Sequence, residues 1–201
     1  DFILKSANKH FSIVNDAEIT IEANPATVDE AKLKSYLDVG INRISFGVQS
    51  FDDNELKAIS RRHNSTDAVE SIAMARKVGF KNINFDLIYG LPNQTCEAFE
   101  RTLNTAAQLR PDHISCYSLI LEEGTRLYRE VEEGKITLPD EDEVEKMYAL
   151  ATRCLEQLGM KRYEVSNYAH EGFQCRHNIN YWNNGQYLGV GCAAHSHVDN
   201  S

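Results

Sequence analysis

Several side chains able to bind or react stand inside otherwise apolar, β-rich runs of this chain. Glu22 lies in Ile19-Thr20-Ile21-Glu22-Ala23, where apolar odd positions alternate with polar even ones, so Glu22 shares a strand face with Thr20. An inward-facing carboxylate is costly unless it is paired or bound to a ligand, and Arg43 or Arg61 could supply the pair. Asp86 interrupts Asn84-Phe85-Asp86-Leu87-Ile88-Tyr89 just before Gly90 and Pro92, where an acid can serve a ligand or cap a turn. Gln49 ends Gly47-Val48-Gln49-Ser50, and Arg61 and Arg62 close a short helical run where cations complement the helix dipole. His177-Asn178-Ile179-Asn180-Tyr181-Trp182 sets an imidazole beside aromatic rings. As a strand or irregular turn it could offer an axial nitrogen to a flat, iron-bearing ligand, and ordinary packing is the alternative.

The elements that must position these groups follow from periodicity. Strands are expected over 19–23, 43–49, 83–89 and 113–120, separated by helical segments, which is the pattern of parallel βαβ units. Ligands in such folds sit at the carboxyl ends of the strands, so Glu22, Gln49 and Asp86 are expected to point into one shared cavity. Thr27 with Glu30 reads as a capping box, and Gly40 stops the helix that follows. Further helices are expected over 53–60, 65–79, 95–109 and 140–158. The last opens with Asp140, Glu141, Asp142 and Glu143, which suits the positive end of its dipole better than it suits a metal. Past Gly159 the composition turns to Tyr, Asn, His and Gly, so a boundary is placed near Pro139: a barrel-like part over 1–138 and an appended α/β part over 139–201.

In its 201 residues the chain carries 21 Lys and Arg against 30 Asp and Glu, a net charge of −9, which disfavours nucleic acid as a partner. No apolar run reaches membrane-spanning length. Five dispersed cysteines without a C-x-x-C pair indicate a reduced, cytoplasmic setting and cannot by themselves build a metal site. The chain opens at Asp1 rather than Met and closes in Val198-Asp199-Asn200-Ser201, so a piece of a longer protein is expected.

Four ordered motifs carry a resemblance that spans nearly the whole chain. They are Thr20-Ile21-Glu22-Ala23-Asn24-Pro25, Arg43-Ile44-Ser45-Phe46-Gly47-Val48-Gln49-Ser50-Phe51, Phe85 to Pro92 with Gln94-Thr95, and Gly189-Val190-Gly191-Cys192-Ala193-Ala194-His195-Ser196. Together they resemble the oxygen-independent coproporphyrinogen oxidase family of radical S-adenosylmethionine (SAM) proteins. His177 to Trp182 resembles the H-N-x-x-Y-W segment of its HemW-type haem-chaperone branch. The resemblance implies a partial (β/α)6 TIM-like barrel holding a [4Fe-4S] cluster and SAM. Glu22, Gln49, Arg61 and Asp86 match cofactor-binding positions, Ile120 and His195 match two further ones, and His177 becomes the haem candidate. The family's C-x-x-x-C-x-x-C motif is not in this sequence, so the strand at 18–23 would be the third of six and cluster ligation would fall to the longer parent. Three functions are therefore weighed: a haem chaperone that passes haem to a client protein, a coproporphyrinogen dehydrogenase, and a binding fragment without redox chemistry.

Overall fold

The computed structural model describes residues 2–198; Asp1 and the tail Asp199-Asn200-Ser201 lie outside the described residues. After α1 (Phe2–His10) come β1 (Thr20–Ala23), α2 (Glu30–Asp38), β2 (Arg43–Gln49), α3 (Asp53–Ala58), α4 (Ser65–Val78), β3 (Ile83–Tyr89), α5 (Cys96–Gln108) and β4 (His113–Ser118). Then follow α6 (Arg126–Glu132), α7 (Glu141–Gln157), β5 (Lys161–Arg162), β6 (Asn167–Ala169) and α8 (Arg176–Trp182). The sheet runs β1-β2-β3-β4-β6-β5. Its first four strands are parallel neighbours, as the alternating pattern requires, and β6 returns antiparallel to β4.

Period-two alternation divides the sheet into two chemically distinct faces. Ile44, Phe46 and Val48 of β2, Ile83, Phe85 and Leu87 of β3, and Ile114 and Cys116 of β4 are buried in one core with Ile72, Phe99 and Leu103 of the covering helices. That core continues past Pro139: Met147, Ala151 and Leu155 of α7 and Tyr168 of β6 belong to it. The opposite face carries Thr20, Glu22, Arg43, Ser45, Asn84, Asp86, Ser115 and Tyr117. No helix among the described residues is long and apolar enough to cross a membrane.

Helix starts follow side-chain chemistry. Asn64 and Asp67 form a reciprocal capping box on α4, Thr95 caps α5, and Asp140 accepts from the Glu143 amide at the start of α7. Thr27 does not cap α2, because its hydroxyl donates to the Asn24 carbonyl at 2.6 Å, and Asp29 accepts from the Lys32 amide instead. β4 ends at Ser118 rather than 120. The segment at 176–182 is a helix, not the strand or irregular turn expected there.

Candidate functional site

Glu22 and Asp86 face one cavity of about 720 Å³, laid against the polar side of the sheet and walled by Cys175 to Asn178 with Tyr187. Its floor is a hydrogen-bonded network centred on Asn84. The Asn84 amide nitrogen donates to Ser45 Oγ at 2.6 Å and to Asp86 Oδ1 at 2.7 Å, while Ser45 Oγ donates to Asp86 Oδ2 at 2.8 Å. Asn84 Oδ1 accepts from Ser115 Oγ at 3.3 Å and from His113 Nδ1 at 2.5 Å. Both amide hydrogens and both oxygen lone pairs of Asn84 are thereby used, which is what a buried amide needs. Asp86 does not cap the turn after β3; that role falls to Gln94, whose Oε1 accepts from the Leu91 amide at 3.2 Å.

His113 continues the network toward the wall. Its Nε2 lies 2.7 Å from the Tyr163 hydroxyl, which accepts from the Cys175 amide at 3.2 Å and from Asn178 Nδ2 at 3.4 Å. A phenol with two donors already aimed at it gives its own hydrogen to His113, so the imidazole is neutral with its proton on Nδ1. Burial, reinforced by the charge of Arg43, pushes the His113 pKa down to about 3. Burial likewise pushes Tyr163 up to about 12, against the pull of those two donors.

A second, smaller cavity of about 440 Å³ is lined by Gln49, Arg61, Ile88 and Ile120. Gln49 reaches it rather than the larger cavity because the β2–β3 register shifts between Gly47 and Gln49, and Gln49 has a left-handed φ of 68°. Arg61 lines this smaller cavity, near enough to Asp86 of the larger one to feel its charge. Its Nη2 donates to the Gly47 carbonyl at 2.7 Å and to Asn24 Oδ1 at 2.9 Å. Only glycine leaves room for this, since a Cβ at Gly47 would stand 2.7 Å from Arg61 Nη2. Arg61 thus makes neither the expected pair with Glu22 nor a helix-end contact of its guanidinium. Burial draws its pKa down and nearby Asp86 opposes this, while its buried Nε has no partner.

His177 lines the larger cavity, standing edge-on to Tyr181 with ring centroids 4.6 Å apart. Its aromatic neighbourhood is only in part the one the sequence suggests. Tyr181 stacks on Tyr187 at 4.3 Å, whereas Trp182 is 60% exposed and outside the cavity lining. In a helix His177 and Tyr181 are one turn apart and share a side, and Trp182, one residue further, does not. His195 is exposed and lines none of the cavities described; the backbones of His195 and Gly189 approach too closely for any side chain at Gly189. Sequence reasoning named Arg43 only as a partner for Glu22 and missed Ser45, Asn84, His113 and Tyr163, although the alternation Arg43-x-Ser45, Asn84-x-Asp86, His113-x-Ser115 carried a usable signal for the first three of these.

The donor set fits a ligand bearing both cationic or hydroxyl groups and a carboxylate, because Glu22 and Asp86 accept while Gln49 and Arg61 donate. It does not fit an iron–sulfur cluster: among the described residues no group of three or more His, Cys, Asp or Glu could hold a metal ion. No chemical step is therefore assigned through a cluster.

A parallel βα sheet with this polar, strand-end site is the architecture of a radical SAM protein. The radical SAM superfamily model matches residues 2–106, just over half of the chain, and the chain belongs to that superfamily. Within it, the chain is 41% identical to "Heme chaperone HemW" of Bacillus subtilis over 90% of this chain and 48% of that protein. It is 42% identical to "Heme chaperone HemW" of Haemophilus influenzae over 96% of this chain and 50% of that protein. Among solved structures it overlays the radical SAM enzyme coproporphyrinogen III oxidase of Escherichia coli with a TM-score of 0.81 and 26% identity, covering 98% of this chain and 48% of that one. The chain thus spans about half the length of the curated relatives it matches.

Proposed function

We propose that this chain forms the SAM- and haem-facing part of a radical SAM haem chaperone, which binds haem and hands it to a client protein. The observation that carries this reading is the lining of the larger cavity, where two acceptor carboxylates, Glu22 and Asp86, share one space with the imidazole of His177. The identity to HemW proteins over nearly the whole chain supports it. Glu22 and Asp86 accept hydrogen bonds from the amino or ribose hydroxyl groups of SAM, Gln49 and Arg61 hold its polar end, and Ile120 contributes apolar contact. The residues here bind, orient and desolvate. Five unpaired cysteines support a reducing, cytoplasmic setting.

The deciding experiment uses the full-length protein. His177→Ala is expected to shift or abolish the Soret band of bound haem and to leave iron and sulfide content unchanged. Retained haem affinity with a lowered melting midpoint would reduce His177 to packing. Asp86→Asn is expected to weaken SAM binding in calorimetry with the fold kept, and unchanged affinity would remove Asp86 from the site. Turnover of coproporphyrinogen to the decarboxylated product would replace the chaperone reading with that of an oxidase.

A further inference from the structure

Arg43 is the first residue of β2, only 4% exposed, and lines the floor of the larger cavity. Its buried Nε has no hydrogen-bond partner, and among the described residues its guanidinium forms no ion pair. The groups around it do not compensate. His113 and Tyr163 both feel its charge, and the first is held neutral while the second keeps its proton. Among the described residues none of the cavity's carboxylates forms an ion pair with Arg43. Asp86 accepts from Ser45 and Asn84, and Glu18 accepts from Cys175 Sγ at 3.3 Å and from the Arg176 amide at 3.1 Å. A guanidinium taken out of water without a counter-charge is among the least favourable arrangements in a folded chain, so it marks a place where an anion belongs.

We propose that Arg43 is the receptor for a carboxylate of the bound ligand, gripping it through the planar fork of the guanidinium. A carboxylate fits better than a phosphate. It is planar and singly charged, which matches the fork, whereas a dianion would be repelled by Glu18, Glu22 and Asp86 in the same cavity. Two ligand carboxylates are available under the proposed function, on which this inference rests: a propionate of the tetrapyrrole and the aminoacyl carboxylate of SAM. Neither Glu22 nor Asp86 can serve either one, because both are acceptors.

The test compares full-length, anaerobically reconstituted protein with its Arg43→Met and Arg43→Lys variants. The probes are haem, haem dimethyl ester, SAM and decarboxylated SAM. If the propionate is the ligand, Arg43→Met weakens haem about tenfold or more and leaves the ester unchanged, with Arg43→Lys intermediate. If the aminoacyl group is the ligand, the same loss appears for SAM and not for its decarboxylated form. Ligand-free Arg43→Met is expected to melt no lower than the parent, because it removes a buried charge that has no partner. The proposal is overturned if neither acid loses affinity, if acids and their blocked forms weaken alike, or if the variant melts lower, which would mean that a carboxylate of the protein already pairs with Arg43. Failure of the parent to bind haem would sink the chaperone reading alone, since the SAM arm still decides what Arg43 holds.

Discussion

The two faces of the parallel sheet are made from the same strands and solve opposite problems. On the helix-covered face each side chain is apolar and interchangeable in kind, and its stabilisation comes from burial and close packing. On the cavity face the side chains are polar and not interchangeable, because each hydrogen bond of Asn84 needs a particular partner in a particular strand. The first face holds the sheet together; the second is held in place by it and contributes the chemistry. This division also explains why Arg43 can stay unpaired, since the core behind β2 supplies stability that the cavity face does not.

The largest expected effect tests the polar face by acid. The folded chain keeps His113 neutral down to a pKa of about 3, while the unfolded chain takes up its proton near the ordinary value of 6.5. The stability it contributes is therefore full above pH 6.5 and is lost as pH falls from there toward 3, by on the order of 4–5 kcal/mol at the acid end. Urea unfolding at successive pH values checks this, and His113→Gln should flatten that limb. An unchanged acid slope in the variant would break the picture of a proton-refusing floor. Next, Phe85→Ala, at a fully buried position on the apolar face, should cost about 3–5 kcal/mol with cavity ligands still bound by the folded fraction. Asn84→Ala should cost less, about 2–3 kcal/mol, and should also weaken ligand binding by releasing Asp86. If Phe85→Ala and Asn84→Ala proved alike in both readouts, the contrast between the faces would fail.

The smallest effect concerns a polar group on the wrong side of this division. Glu55 of α3 is buried, and it accepts from Ser50 at 2.5 Å and from Gln94 at 3.0 Å. Burial raises its pKa above the ordinary 4.5 despite those two donors. The folded chain thus binds this proton more tightly than the unfolded chain, and the contribution falls as pH rises from 4.5 through the raised value. Glu55→Gln, which keeps an acceptor oxygen, should melt at or slightly above the parent at neutral pH, a change below about 1 kcal/mol, and differential scanning calorimetry reads it directly.

The apolar face was legible in the sequence because burial imposes a period that survives without knowledge of partners: Ile44-x-Phe46-x-Val48 and Ile83-x-Phe85-x-Leu87 announce both strand and orientation. Glu22 and Asp86 stood out for the same reason, as charges breaking or sharing that period. The pairing of His113 with Tyr163 was not legible, since it spans 50 residues and depends on the antiparallel return of β6. The departure of Gln49 from the cavity of Glu22 and Asp86 was equally hidden. One irregular step in β2 reverses its side, and no residue type at that step announces it. Grouping Trp182 with His177 misled because residues close in sequence suggest one flat surface, while the helix keeps Tyr181 on the side of His177 and turns Trp182 away.

The wall formed by α8 differs in kind from the floor it faces. None of its residues is buried, and it is fastened by the exposed Arg176–Asp16 ion pair at 3.1 Å, the Glu18 contacts to the Arg176 amide and the Asn178 reach to Tyr163. Such tethers are individually worth a fraction of the energy that holds a core strand. The free energy needed to swing this segment outward is consequently far below that of global unfolding, and its amides should exchange with solvent long before those of β3. A broad, rigid ligand can then be admitted by movement of this one segment, with the sheet unmoved and only a few surface contacts exchanged for new ones.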